Sequence, residues 1–319
     1  MHADLEKTIF RTLIFFDMIE YPLTLLEVQR HLLFLNSEQN FSYSDVLEIF
    51  SSSQFLSENI EEHCGYYHLK GRSALADIRR ERTIYADQKY RKAQMITRIL
   101  AMIPFVRMVC VCNTVGLGAV KDKSDIDLFI VARARHLWLT RLLCTGFVHL
   151  LGRRPRKNAV RNTFCLSFYV SDDALNMQPL CLDSLNEVPD VYFLYWLTWC
   201  VPIYDDGSYE SFFIENNWIE RYLPNRLRSA PVPYRRVQVP FVGCLIKRAL
   251  EIFCSIFGGG SEYMARALQQ AIMPQVLRER QSDGVGVVVS DTILKFHITD
   301  RRKDIQEEFV RRCVEAGIL

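Results

Sequence analysis

Apolar residues near the start of the chain recur every three or four positions. "LEKTIFRTLIFFDMIE" predicts a helix, "YP" breaks it, and "TLLEVQRHLL" predicts a second, opened by a capping box of Thr24 and Glu27. Ser42 and Asp45 make a second cap pair, which opens "YSDVLEIFSSS" as a third helix. "NIEEHCGYYHLKG" then reads as a strand pair turning near residues 63–65. Three short helices and a small hairpin are the layout of a winged helix. "ALADIRRERTIYADQKYRKAQMITRILAMI" follows as one long, charge-rich helix that connects to the next part of the chain.

The period changes after Pro104, which stops that helix. "FVRMVCVC" is a β-branched strand, "VGLGAV" a short turn and helix start, and "SDIDLFIVA" a second strand. "RHLWLTRLLCTGFVHLLG" has helical spacing and "FCLSFYVS" is a third strand, so this part reads as a compact α/β unit. Past Asp172 the pattern is mainly helical. "DVYFLYWLTWCVPIYD" and "SYESFFIENNWIERYLP" read as a helical pair, "RSAPVPYRRVQVP" as a linker, and two more helices fall near residues 241–256 and 261–270. "GVGVVVSDTILKFHITDRR" reads as a short strand and loop before a terminal amphipathic helix. The expected organisation is residues 1–70, a connecting helix over 71–103, a core over 104–175, and a helical part over 176–319.

At 49% hydrophobic and 24% charged residues, the chain is an ordinary globular protein. Its ten cysteines are scattered with no CxxC pair, which points to the reducing cytoplasm. The first residues carry acids ahead of their apolar part, unlike a secretory leader. The most apolar run, 191–204, is shorter than the roughly 20 residues a bilayer span needs. Residues 239–257 are longer but interrupted by Lys247, Arg248 and Glu251. They predict an amphipathic helix buried against protein, with a membrane-surface helix as the alternative. No membrane partner is expected.

The net charge of +2 hides an asymmetry. Residues 1–70 hold 4 Lys/Arg against 11 Asp/Glu, a net of −7, so the remainder carries +9. The predicted third helix offers Asp45 and Glu48 and no Lys or Arg, which argues against docking in a DNA groove and for a protein partner. Residues 132–170 contain no acid but hold Arg133, Arg135, Arg141, Arg153, Arg154, Arg156, Lys157 and Arg161. Such a positive field suits a polyphosphate or nucleic-acid ligand, or it is solvated loop charge.

The acidic pair Asp125 and Asp127 stands at the edge of this field. Residues two apart in a strand share a face, so the two carboxylates project together while Ile126, Leu128 and Ile130 pack on the other side. Two adjacent carboxylates repel unless a cation lies between them, and magnesium, a hard ion that prefers oxygen, is the natural choice. A solvated strand end with one Asp capping a turn is the alternative. Asn113 and Thr114 precede the pair at the end of the previous strand, where a hydroxyl and backbone N–H groups suit triphosphate oxygens.

This arrangement resembles the nucleotidyltransferase superfamily that includes DNA polymerase beta. Its motif is a Gly-Ser at a strand end, a short helix and an Asp-x-Asp strand. "SDIDLFIVA" matches the second half, and "NT" stands where Gly-Ser is expected: Thr114 keeps the hydroxyl and Asn113 can adopt a left-handed backbone. The motif covers about residues 104–175. More loosely, the whole layout looks like uncharacterised bacterial proteins with a winged-helix-like start, such a core and a helical C-terminus. The fold class expected is α+β and mainly helical, with a small nucleotidyltransferase-type mixed sheet between a winged-helix-like domain and a helical C-terminal domain.

The resemblance implies magnesium-dependent transfer of a nucleoside monophosphate from a nucleoside triphosphate to a hydroxyl on RNA, a protein or a small molecule. It makes Asp125 and Asp127 metal ligands and places Asn113, Thr114 and Ser124 around the phosphates, with Arg141 a candidate phosphate contact or a surface ion pair. A third carboxylate is expected on the next strand. Alternation there puts Cys165, Ser167, Tyr169 and Ser171 on one face, none of them acidic, and Asp172 and Asp173 read as caps of a following helix. A nucleotide-binding scaffold without turnover is the second expectation. Asp291, Lys295, His297, Asp300, Arg301 and Arg302 form a last cluster, read either as a cleft contact or as a helix cap.

Overall fold

The computed structural model describes residues 2–35, 41–155, 160–256, 259–283 and 285–319. Arg156 and Lys157 of the basic loop lie outside the described residues. The chain opens with α1 (His2–Met18), α2 (Leu25–Arg30), α3 (Tyr43–Ser52) and α4 (Gln54–Asn59). Both capping boxes form: Thr24 and Glu27 exchange side-chain and backbone bonds, and so do Ser42 and Asp45. A hairpin of β1 (Ile60–His63) and β2 (Tyr66–Leu69) follows, turning at Cys64 and Gly65, both at positive φ. The connecting helix is α5 (Leu75–Leu100).

The next elements are β3 (Val106–Val111), α6 (Asn113–Leu117), β4 (Ile126–Ala132), α7 (Leu137–Leu150) and β5 (Phe164–Ser171). Then come α8 (Val191–Thr198), β6 (Val201–Asp205), α9 (Ser208–Glu215), α10 (Phe241–Ile256), α11 (Gly259–Ala271) and α12 (Gln275–Glu279). The chain closes with β7 (Val287–Val289), β8 (Ile293–Phe296) and α13 (Arg302–Glu315). The class is α+β, about 53% helical around a mixed six-stranded sheet. The strand order is β6-β3-β4-β5-β8-β7, with β4 and β5 parallel and the other pairs antiparallel.

Two expectations for residues 176–319 are corrected. Half of the sheet comes from this part, because Val201–Asp205 pairs beside β3 and β7–β8 beside β5. Pro202 ends the helical run, and it is tolerated because β6 is an edge strand. Within the run 239–257, α10 (Phe241–Ile256) turns its apolar side outward, since its polar side holds the protein: Lys247 donates to the Val106 carbonyl (2.5 Å) and the Tyr204 hydroxyl (2.9 Å), and Glu251 accepts from the Phe105 N–H (2.7 Å).

A core lies on each face of the sheet. Ile126, Leu128 and Ile130 of β4 pack with Ala93, Ile96, Trp138 and Val148 of α5 and α7. Phe129 and Val131 pack on the other face with Phe193, Trp196 and Phe309. That second core runs without a break into residues 5–60. The Phe15 and Tyr195 rings lie 4.6 Å apart, and the Tyr195 hydroxyl donates to the His31 carbonyl at 2.6 Å. Among the described residues no helix is long and apolar enough to cross a membrane, and all ten cysteines are unpaired.

Candidate functional site

Asp127 is the second residue of β4, and Asp125 immediately precedes the strand. The interior of β4 is fixed by its β-branched and aromatic residues, which bury on both faces, while its start carries polar groups. One ligand atom each of Asp125, Asp127 and Cys165 lie within 4.8 Å of one another. Cys165 faces Asp127 directly across the parallel β4–β5 ladder.

The turn before the pair is held in place by backbone geometry. The Cys112 N–H donates to the Asp127 carbonyl at 3.2 Å, which brings the end of β3 beside the start of β4. Asn113 follows with a left-handed φ of 53°, and its side chain bonds the Asp127 carboxyl. The Tyr192 hydroxyl approaches the Asn113 Oδ1 at 3.5 Å. Thr114 is exposed on α6. Gly116 passes so close to α8 that an added Cβ would lie 2.0 Å from the Trp199 carbonyl oxygen, so only glycine fits. The Tyr21 hydroxyl donates to the Leu117 carbonyl at 2.9 Å, tying this turn to the N-terminal helices.

The loop leading into the pair rests on Lys89 of α5, which is 1% exposed. Its ammonium donates to the carbonyls of Asp122 (3.0 Å) and Ser124 (2.6 Å). Arg161, at the end of the basic loop, pairs with Asp122 at 2.9 Å and so stands at the edge of the same loop.

Burial raises the Asp125 carboxyl above the ordinary carboxylate range, against the Lys89 charge. Burial and then the Asp125 charge push Asp127 up to about 6, against hydrogen bonds from Asn113 and Cys165. Two neighbouring acids that both resist ionisation are what a cation would relieve. Burial also raises the Cys165 thiol, which stays protonated at neutral pH.

Beyond Cys165 the strands slip. Asp127 pairs with Cys165 but Phe129 pairs with Phe168, so β5 carries one extra residue. This bulge corrects the expected alternation: Tyr169 turns to the opposite core, and Phe168 joins the face of the acidic pair. Ser167 lies in the bulge, 3.3 Å from the Cys165 sulfur and 2.9 Å from His297 Nε2. Burial, then the Lys295 charge, bring His297 down to about 4, so its imidazole is neutral at pH 7.

Asn113 and His297 both line a cavity of about 300 Å³ whose aromatic wall is Phe168, Tyr192, Phe193 and Trp196. Its floor is an ion-pair network of which the sequence grouped Lys295, Asp300 and Arg302 but not Asp190, which lies about 110 positions from Arg302. Arg302 bonds Asp190 at 2.8 Å and Asp300 at 2.9 Å, and Lys295 bonds Asp300 at 3.3 Å. Burial works to raise Asp300, but hydrogen bonds from Arg302 and the charges of Arg302 and Lys295 hold it at about 2. Burial and the Arg302 charge bring Lys295 down to about 8.

The remaining candidates divide. Lys295, His297, Asp300, Arg301 and Arg302 come together at the cavity, whereas Asp291 bonds Trp138 Nε1 and Arg266 on the other side of the sheet. Asp172 and Asp173 cap no helix. They accept from the Ala134 N–H (2.8 Å) and the Ser171 hydroxyl (2.5 Å), closing the far end of β5. Arg141 is not brought to the carboxylates: α7 packs on the opposite face, where Arg141 donates to Gln269 (2.5 Å) and covers the Phe296 ring at 4.2 Å. No family model, curated protein or solved structure matches the chain.

Proposed function

We propose that the protein is a magnesium-dependent nucleotidyltransferase, moving a nucleoside monophosphate from a nucleoside triphosphate to a hydroxyl acceptor. The observation that carries this reading is the approach of Asp125 and Asp127 at the start of β4, facing the left-handed turn at Asn113. The order strand, short helix, strand with paired aspartates is that of the polymerase-beta-like superfamily. In the same reading residues 1–70 are a winged-helix-like module whose acidity suits a protein partner, and residues 176–319 form the C-terminal domain.

Two carboxylate oxygens suit magnesium, and Asp125 and Asp127 would hold it; the protonated thiol of Cys165 does not suit a hard ion. When bound, the ion supplies positive charge that lets both carboxylates ionise and offsets the triphosphate. The protein's own groups position. Asn113 orients Asp127, Lys89 fixes the loop through Ser124, and Thr114 leaves its hydroxyl exposed at the turn. The aromatic cavity beside Asn113 accepts a planar base or the body of the acceptor.

Cys165 across from Asp127, with Ser167 in the middle of β5 where a third carboxylate is expected, favours a second reading, a scaffold that binds nucleotide without turnover. Magnesium and α-labelled nucleoside triphosphates separate the two. The first reading predicts pyrophosphate release and label transfer, both lost in Asp125→Ala and Asp127→Ala. Transfer that survives those substitutions refutes the assignment, and tight binding with no release selects the scaffold.

A further inference from the structure

An amphipathic helix on a protein surface normally turns its apolar side to the core. Helices α10 and α11 do the reverse. On α10 the inward positions are Gly243, Lys247 and Glu251, while Phe241 (76% exposed), Ile246, Phe253 and Ile256 (74%) lie along the outward side. On α11 the inward positions are Glu262, the small Ala265 and Gln269. Glu262 accepts from the Trp138 and Leu139 N–H groups (2.8 and 2.9 Å), and Gln269 donates to the Trp138 carbonyl (2.7 Å). Tyr263 (72% exposed), Met264 and Leu268 face outward. Eight large apolar side chains of α10 are exposed, each leaving on the order of 100 Å² in water, so the face on α10 alone exceeds the roughly 300–600 Å² patch of an ordinary monomer.

Charge decides what covers this face. Arg248 borders the α10 stripe, and Arg133 shares a shallow pocket with Arg248, Ile252 and Ile256. Among the described residues neither arginine has a carboxylate partner, because Glu251 in the same pocket is held by Arg107 at 3.0 Å. A two-fold pairing of α10 would bring these cations together, and α10 itself carries no acid on its outward side. A bed of lipid phosphates meets them instead.

We propose that the outward faces of α10 and α11 dock in the plane of an anionic membrane surface. At 16 residues α10 is about 24 Å long, and its inward Lys247 and Glu251 are committed to the protein, so it lies on the bilayer and does not span it. This revises the expectation of no membrane partner. The anchors of α10 at Phe105 and Val106 lie beside Ala132, about 20 Å along β4 from the acidic pair.

Flotation of the full chain with phosphatidylcholine vesicles, with and without roughly a third phosphatidylglycerol, tests this. The protein is expected to float with the anionic vesicles. Ile246→Glu with Phe253→Glu lowers partition more than tenfold, since both side chains point into the apolar layer. Arg133→Ala with Arg248→Ala lowers it about 25-fold on anionic vesicles, roughly fivefold per arginine, and leaves neutral vesicles unaffected. All four positions are exposed, so an unchanged urea midpoint confirms that the variants fold. A chain that stays in the aqueous fraction at low salt overturns the proposal, as does flotation insensitive to both double substitutions. A dimer that the apolar substitutions dissociate, with no flotation, overturns it in favour of a second copy.

Discussion

Asp127→Asn makes this protein more stable at neutral pH in the absence of metal. Burial and the neighbouring Asp125 charge carry the Asp127 carboxyl from 3.8 to about 6. The folded chain therefore keeps a proton that the unfolded chain has released between about pH 4 and pH 6. Stability declines as pH rises through that window and stays low above it. A rise of about 2 on the pH scale corresponds to roughly 3 kcal/mol. The pair shares that strain, and asparagine leaves a single acceptor oxygen for Asn113 and Cys165, so the expected net gain at pH 7.5 is on the order of 2 kcal/mol. Near pH 4.5 the two proteins differ little. Urea unfolding followed by tryptophan fluorescence in a chelator suits the question, because Trp196 and Trp199 are buried. Millimolar magnesium should restore the wild type at pH 7.5 and leave Asp127→Asn unchanged. Wild-type stability that is level between pH 4.5 and 7.5, or an asparagine variant weaker at pH 7.5, would refute the reasoning.

The other predictions concern the groups that build the site. Gly116→Ala drives a Cβ into the Trp199 carbonyl and should cost about 1–3 kcal/mol in chemical denaturation. Lys89→Met keeps the bulk but strands the carbonyls of Asp122 and Ser124; about 1–3 kcal/mol is expected, with weaker magnesium-nucleotide binding by calorimetry. Arg302→Met leaves the buried Asp190 without its cation and Asp300 with Lys295 alone, and a loss of about 3–5 kcal/mol should appear in the same denaturation assay.

Features set by neighbours in sequence were legible in it. The two capping boxes form as read, since a cap needs only residues three apart. The burial of Ile126, Leu128 and Ile130 away from Asp127 follows from strand alternation. What escaped depends on distant partners. The extra residue in β5 has no local mark, and only pairing with β4 shows that Tyr169 changes sides. Lys89 looks like any charged position in a long helix until the loop at Asp122 settles on it. Gly116 carried a signal, a glycine inside a short helical turn, but its reason is a carbonyl 83 positions away. The outward face of α10 misled because amphipathicity shows that a helix has two sides, and the partners of Lys247 and Glu251 decide which one turns inward.

The central claim is that Asp125 and Asp127 share a divalent cation opposite the turn at Asn113. Crystals soaked with manganese, in place of magnesium, and a non-hydrolysable nucleoside triphosphate test it by anomalous scattering. The account predicts a peak coordinated by both carboxylates with the phosphates against Asn113 and Thr114. A nucleotide bound elsewhere, or no peak at the pair, would contradict it.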